Sequence, residues 1–178
     1  MKWAPVVLSA AVLALTTVGA AGAAGSLEAP VKATYLYKLV PFVEWPAGAF
    51  ASPTQPVVLC LLGGDPFGAV LDQAVRGQKI GARAIVVHRL AKAEKATGCH
   101  VLYLSAPRAL GAAEALQSAH GAPVLTVTDQ AAGAGAVVNF VLRENRVRFT
   151  IDSRAAAENG LTISSKLLSL ALDARAGR

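Results

Sequence analysis

Carboxylates are few in this 178-residue sequence: eleven Asp and Glu stand against seventeen Lys and Arg. With so few acids, no carboxylate pair for acid–base work can be picked out. The three histidines, His88, His100 and His120, have no metal-ligand spacing and no acid cluster beside them. Two cysteines do not make a structural zinc site, so neither a metal nor a cofactor is called for. The surplus of cations is scattered and no basic run is interleaved with aromatics, which speaks against nucleic acid as a partner. Beyond the amino-terminal segment the longest apolar run is Val57 to Leu62, far short of the roughly 20 residues a spanning helix needs.

What is present begins with an export signal. Lys2 precedes the apolar run Ala4 to Val18, and Gly19 to Gly25 is entirely Gly and Ala. Ala21-Gly22-Ala23 has the small-x-small form that signal peptidase accepts. We expect residues 1–24 to be a cleaved signal peptide and 25–178 the mature domain, located in the periplasm and not membrane-spanning after cleavage. No cysteine follows the small residues, which argues against a lipid anchor. Cys60 and Cys99 allow a single intramolecular pairing. In an exported chain the disulfide is the favoured state, two separate buried thiols being the alternative.

The segment from Ala29 to Glu44 places Val31, Tyr35, Leu36, Leu39, Val40 and Val43 at helical spacing, with Pro41 expected to end or kink the helix. Val57 to Leu62 suits a strand covered on both faces. A short helix is expected over Phe67 to Ala74, started at Asp65 with Pro66 in its first position. Strands are expected at Ala84 to His88, Val101 to Leu104 and Val124 to Val127, with a helix over Pro107 to Ala119. Ala136 to Leu142 and Val147 to Ile151 read as an edge hairpin. Asp152 or Ser153 could cap a short helix ending at Asn159-Gly160, and Ser164 to Ala174 reads as the last helix. The fold class is α/β: one domain, a mainly parallel mixed sheet flanked by helices, with a C-terminal antiparallel hairpin.

Few of the candidate motifs hold chemistry. Gly63-Gly64-Asp65-Pro66-Phe67-Gly68 sits between a strand and a helix, but it lacks the dinucleotide and P-loop patterns. Pro66 removes an amide donor and Asp65 puts negative charge where a phosphate would go. Cys99-His100 fails as a nucleophile and base, because neighbours on a strand point apart. Ser164-Ser165-Lys166 fails similarly, since helical residues one or two apart do not face each other. No catalytic constellation emerges. On the hairpin, alternation sets Arg148 and Thr150 opposite the apolar residues. Phe140, Arg146 and Arg148 are therefore expected to form an exposed partner-binding surface. The alternative is a small-ligand site, or an unrecognised enzyme, using the crevice at the ends of the parallel strands near Gly63, Gly64, Asp65, Thr128 and Asp129.

Seven blocks in order carry a resemblance. They are Val31 to Lys38, Phe42 to Pro46, Leu62 to Gly68, Gly98 to Tyr103, Val124 to Asp129, Asn145 to Ile151, and Leu161 to Leu168. Together they resemble the YfiR family of exported proteins. The resemblance implies a periplasmic repressor that forms homodimers and binds the sensor domain of an inner-membrane diguanylate cyclase, lowering cyclic-di-GMP and biofilm signalling. It also implies sequestration by an OmpA-like outer-membrane lipoprotein. Cys60 and Cys99 fall at family cysteine positions. Well-studied members have a second cysteine pair near the hairpin, which this chain lacks.

Overall fold

The computed structural model describes residues 27–92, 98–105, 112–129 and 135–175. The expected signal peptide and the first residues of the helix expected from Pro107 lie outside them. Helix α1 spans Glu28–Lys38, followed by a 3-10 turn over Val40–Phe42 that contains Pro41. The α-helix stops at Lys38, three residues before Pro41, and the chain tightens into the 3-10 turn there. Strand β1 (Val43–Glu44) and the loop through Pro56 lead into β2 (Val57–Gly63), α2 (Ala69–Val75), β3 (Lys79–Ile80) and β4 (Arg83–Leu90). Then come β5 (Val101–Ser105), α3 (Ala112–Ala119), β6 (Leu125–Thr128), β7 (Val138–Arg143) and β8 (Arg146–Asp152). The chain closes with α4 (Ser153–Glu158), β9 (Thr162–Ile163), α5 (Ser165–Leu168) and β10 (Ala174–Arg175).

Eight strands form the main sheet in the order β10-β8-β7-β6-β5-β2-β4-β3. Pairing is parallel from β4 through β2, β5 and β6 to β7, and again between β10 and β8. The β7–β8 and β3–β4 pairs are antiparallel. The expected α/β class with a C-terminal hairpin is what the chain adopts. A separate pair, β1 with β9, ties Val43 to Ile163.

The wholly apolar sequence of β2 follows from its two faces. Val57, Leu59 and Leu61 belong to one core with Leu36, Leu71, Val101 and Tyr103, beneath α1 and α2. Cys60 and Leu62 belong to a second core with Leu102, Leu104, Ala115 and Ala119, beneath α3. A strand buried on both sides has no polar position to spare. The two crossover helices lie on opposite faces because the chain leaves β2 toward β4 on one side and leaves β5 toward β6 on the other. The divergence point is therefore between β2 and β5, at the pair Gly63 and Ser105. Gly63 is needed there: its φ is +96° and a Cβ would sit 2.5 Å from the Ser105 carbonyl oxygen.

Two elements depart from the sequence expectation. The helix after β2 begins at Ala69, not Phe67, because the Asp65 carboxylate accepts from the Phe67 and Gly68 N–H groups at 2.8 and 2.9 Å. That turn leaves Pro66 outside the helix, and Gly68 closes it at φ +50°. The last helix is cut to Ser165–Leu168, after which Leu172 N–H donates to Phe149 O and Ile151 N–H to Asp173 O. The unpaired backbone of β8 draws the chain into β10, so the hairpin is not quite the edge of the sheet. Elsewhere Asp152 caps α4 as expected, accepting from Arg154 and Ala155 N–H.

Candidate functional site

The β7–β8 turn consists of Glu144 and Asn145, both at positive φ (49° and 58°), the pair of conformations a two-residue I′ turn requires. This geometry fixes the register Phe140 opposite Phe149 and Leu142 opposite Val147. Phe140 is 1% exposed and packs against Tyr35 of α1, with ring centres 5.9 Å apart. The expectation that Phe140 lies on an exposed surface is therefore corrected. Phe140 shares its face with Val138, which turns toward the core, so it is a core residue. Arg146 and Arg148 are exposed on β8, alternating with buried Val147 and Phe149.

Those two arginines line a groove of about 700 Å³ between the hairpin and the start of α1. Its apolar walls are Leu27, Val31, Tyr35, Leu142 and Val147. Leu27 and Leu142 are 70% and 53% exposed, high values for large apolar side chains. Among the described residues, Arg146 and Arg148 have no carboxylate within salt-bridge distance.

The second concavity, about 240 Å³, lies where β2 and β6 end beneath α1. Of the five crevice residues expected from sequence, Asp129 is on its wall. Gly63 packs on Ser105, and Asp65 closes its own turn while pairing with Arg89 at 2.6 Å. Burial raises the Asp65 pKa, but Arg89 and the two backbone N–H groups outweigh it and hold the carboxyl below its ordinary value. Thr128 donates to Leu104 O at 3.1 Å from a buried position, and Gly64 is exposed at the loop. What the crevice does hold is Lys32, its ammonium 2.5 Å from Glu28 and 2.8 Å from Asp129. Burial lowers the Lys32 pKa, yet the hydrogen bonds to the two carboxylates more than compensate, so it stays a cation. Below it Tyr103 packs on Phe67 at 4.9 Å between ring centres.

Cys60 and Cys99 are bonded, with Cα atoms 5.8 Å apart. The neighbouring His100 is structural. Its Nδ1 accepts from Val58 N–H at 3.0 Å, so the proton sits on Nε2, which faces Ala49 O at 3.2 Å. Phe50 stacks on the imidazole at 4.2 Å, and Arg83 lies 3.8 Å from the centre of the Phe50 ring while donating to Ser52 O and Gln55 O. Burial, opposed by the Ala49 bond and aided by the Arg83 charge, depresses the His100 pKa. The unfolded histidine titrates near about 6.5. A folded pKa below that value means the contribution is complete above about pH 6.5 and is lost as pH falls through the folded pKa. We expect the urea midpoint of the native protein to drop on going from about pH 7 to about pH 5, and His100→Gln to flatten that dependence. An equal slope in both proteins would refute the assignment.

A family model described as YfiR/HmsC-like matches residues 29–172. The chain belongs to the YfiR/HmsC-like family. No curated protein matches the sequence. Among solved structures, a conserved domain protein from Vibrio cholerae O1 biovar El Tor is similar with a TM-score of 0.51 at 12% identity. The likeness covers 83% of this chain and 60% of that one, so this chain spans less than two thirds of that protein's length. At that identity the likeness concerns the fold alone.

The matched span of this YfiR/HmsC-like chain takes in both cysteines, the hairpin, Lys32 and Asp129, and stops short of Leu27 and Glu28. Sequence reasoning missed Lys32, Glu28 and Tyr103. An i,i+4 acid–base pair on an amphipathic helix reads as a solvated surface pair, and nothing in the pattern shows that α1 turns it onto the sheet. The one available signal was Lys32 falling among α1 positions that are otherwise apolar.

Proposed function

We propose that this protein is a periplasmic regulator that binds the sensor domain of an inner-membrane diguanylate cyclase and represses it, lowering cyclic-di-GMP and biofilm signalling. Family membership is the observation that carries this reading. In it, residues 1–24 are a cleaved signal peptide and the Cys60–Cys99 bond suits an oxidising compartment. The protein acts by binding and not by catalysis. Homodimer formation and sequestration by an OmpA-like outer-membrane lipoprotein belong to the same reading.

The groove between α1 and the hairpin is the docking surface we assign to the cyclase. Exposed leucines beside two unpaired arginines favour an apolar segment flanked by carboxylates. A second copy of this chain is a poorer occupant, since twofold symmetry would bring arginines together.

The test is cellular cyclic-di-GMP with the gene deleted and with exported copies restored. Deletion should raise the level, and the native copy should reverse the rise. Arg146→Glu/Arg148→Glu should weaken partner binding by about 100-fold, corresponding to roughly 2.8 kcal/mol. Restored at native abundance and with an unchanged unfolding curve, that variant should leave the level high. An unchanged level on deletion would overturn the repressor reading. Full reversal by the double variant would overturn the groove assignment.

A further inference from the structure

The loop of residues 46–56 lies at the amino-terminal ends of β2 and β5, and its attachment there is slight. Pro46, Pro53 and Pro56 bring no N–H to share, and none of the eleven residues is fully buried. Its internal bonds are local, from Ala49 N–H to Pro46 O, from Gln55 N–H to Ser52 O and from Ala51 N–H to the Gln55 side chain. Among the described residues, two side chains from outside hydrogen-bond to it: His100 to Ala49 O, and Arg83 to Ser52 O and Gln55 O. Phe50 touches both, stacked on the imidazole and lying under the guanidinium. A segment held by so few contacts opens at a lower free energy than the strands behind it.

One of the two holders titrates. His100 is 4% exposed and its backbone is fixed on both sides, its N–H donating to Val58 O and its carbonyl accepting from Leu125 N–H, each at 2.8 Å. The ring is committed to its neutral form by the direction of one bond, since Val58 N–H donates to Nδ1. A proton added at Nδ1 would set two donors against each other at 3.0 Å, so the imidazolium cannot keep this position. Nε2 carries its hydrogen in both forms, and the bond to Ala49 O is lost because the ring must move.

Nothing around the ring favours its charge. The loop and β2, residues 46–62, contain no ionisable side chain apart from the bonded Cys60, and residues 99–102 contain none beside His100 apart from the bonded Cys99. Residues 125–128 of β6 contain none, and β4 brings Arg83, a second cation. Glu44, next to Trp45 on β1, is exposed, and among the described residues no carboxylate lies within salt-bridge distance of His100. Burial first, joined by Arg83 and opposed by the Ala49 bond, holds the imidazole pKa below its ordinary value.

We infer that the 46–56 loop is a proton-operated latch: protonation of His100 breaks its contacts with Val58, Ala49 and Phe50, and the loop lifts away, baring Trp45 and Phe50 while the sheet stays folded. The Cys60–Cys99 bond beside it keeps β2 and β5 joined as the latch opens. In the open form His100 meets water and titrates near about 6.5. The closed value lies lower, so closure is fully favoured above about pH 6.5. As pH falls from there to the closed-state value, the ratio of open to closed grows by up to about tenfold per pH unit. Trp45 reports the change, being the single tryptophan of residues 25–178 and edge-on to Phe50 and His100 at 5.6 and 6.1 Å.

The experiment is acrylamide quenching of Trp45 fluorescence in the purified mature protein, with far-UV circular dichroism and histidine proton NMR on the same samples, between about pH 7.5 and about pH 5. The quenching constant should rise about twofold or more while the dichroism stays constant, with a midpoint below about pH 6.5 that coincides with the His100 titration. His100→Gln keeps a donor and an acceptor but cannot take up the proton, so its quenching should not change with pH. His88→Gln and His120→Gln, at exposed positions, should behave as the native protein. The NMR comparison in the native protein decides the matter even if His100→Gln fails to fold. A constant native quenching over a pH range in which His100 becomes protonated, an equal rise in His100→Gln, or a rise seen only with loss of dichroism would overturn the latch. No partner protein is involved, so the outcome is independent of the cyclase reading.

Discussion

Replacing Cys60 and Cys99 together by alanine should cost about 4 kcal/mol of unfolding free energy, the chain-entropy value for a loop of this length. The bond joins residues 39 apart, and the loop between them holds α2, β3 and β4. Cys60 lies within β2, and Cys99 lies two residues before β5, the neighbouring strand. The pair thus staples adjacent parallel strands whose pairing is non-local and expensive in closure entropy. Both sulfurs sit in the core beneath α3, 1% and 5% exposed, so alanine also removes packed atoms. Urea denaturation of the native, reduced and double-alanine proteins separates these contributions. Reduction should account for most of the loss. The denaturant slope should rise without the cross-link, because the unfolded chain expands. A total loss below about 1 kcal/mol would show that the bond does not constrain the unfolded chain as supposed.

The second large effect is expected at Phe140. Phe140→Ala should destabilise by about 3–5 kcal/mol, the usual range for emptying a buried phenylalanine site. Phe140 faces Phe149 across the hairpin, and both rings contact Tyr35 at 5.9 and 5.8 Å. Removing it would leave a void between α1 and the hairpin that neither a turn fixed at positive φ nor a helix packed on the sheet can readily fill. Phe140→Leu keeps most of the volume and should cost less than half as much. The contrast with Arg146→Glu/Arg148→Glu is informative, since those exposed positions should leave the urea curve unchanged. If Phe140→Ala unfolds like the native protein, the aromatic cluster is not what holds the hairpin to α1.

Much of the fold was legible because its strongest signals are local. The apolar run at Val57 to Leu62 suited a strand covered on both faces, which it is, and of the two cap candidates, Asp152 and Ser153, the first caps the α4 that ends before Asn159-Gly160. The hairpin was read from alternation, which also assigned Arg148 to the outside. The errors arise where distant segments compete for the same backbone groups. Ser164 to Ala174 has helical composition, but β8 offers unpaired N–H and C=O groups that capture its second half. Alternation likewise placed Phe140 on a face without saying which face α1 would cover. Lys32 was unreadable for the same reason, since its two partners come from its own helix and from the end of β6, and only the tertiary fold brings the second one within reach.

Glu28 stands on the wall of both concavities, the groove at the hairpin and the crevice beside Phe67 and Asp129. Its carboxylate is held by Lys32 on the crevice side, so the position of that one ion pair sets how much negative charge the groove wall carries near Arg146 and Arg148. One first-turn side chain thus makes the walls of the two concavities electrostatically continuous.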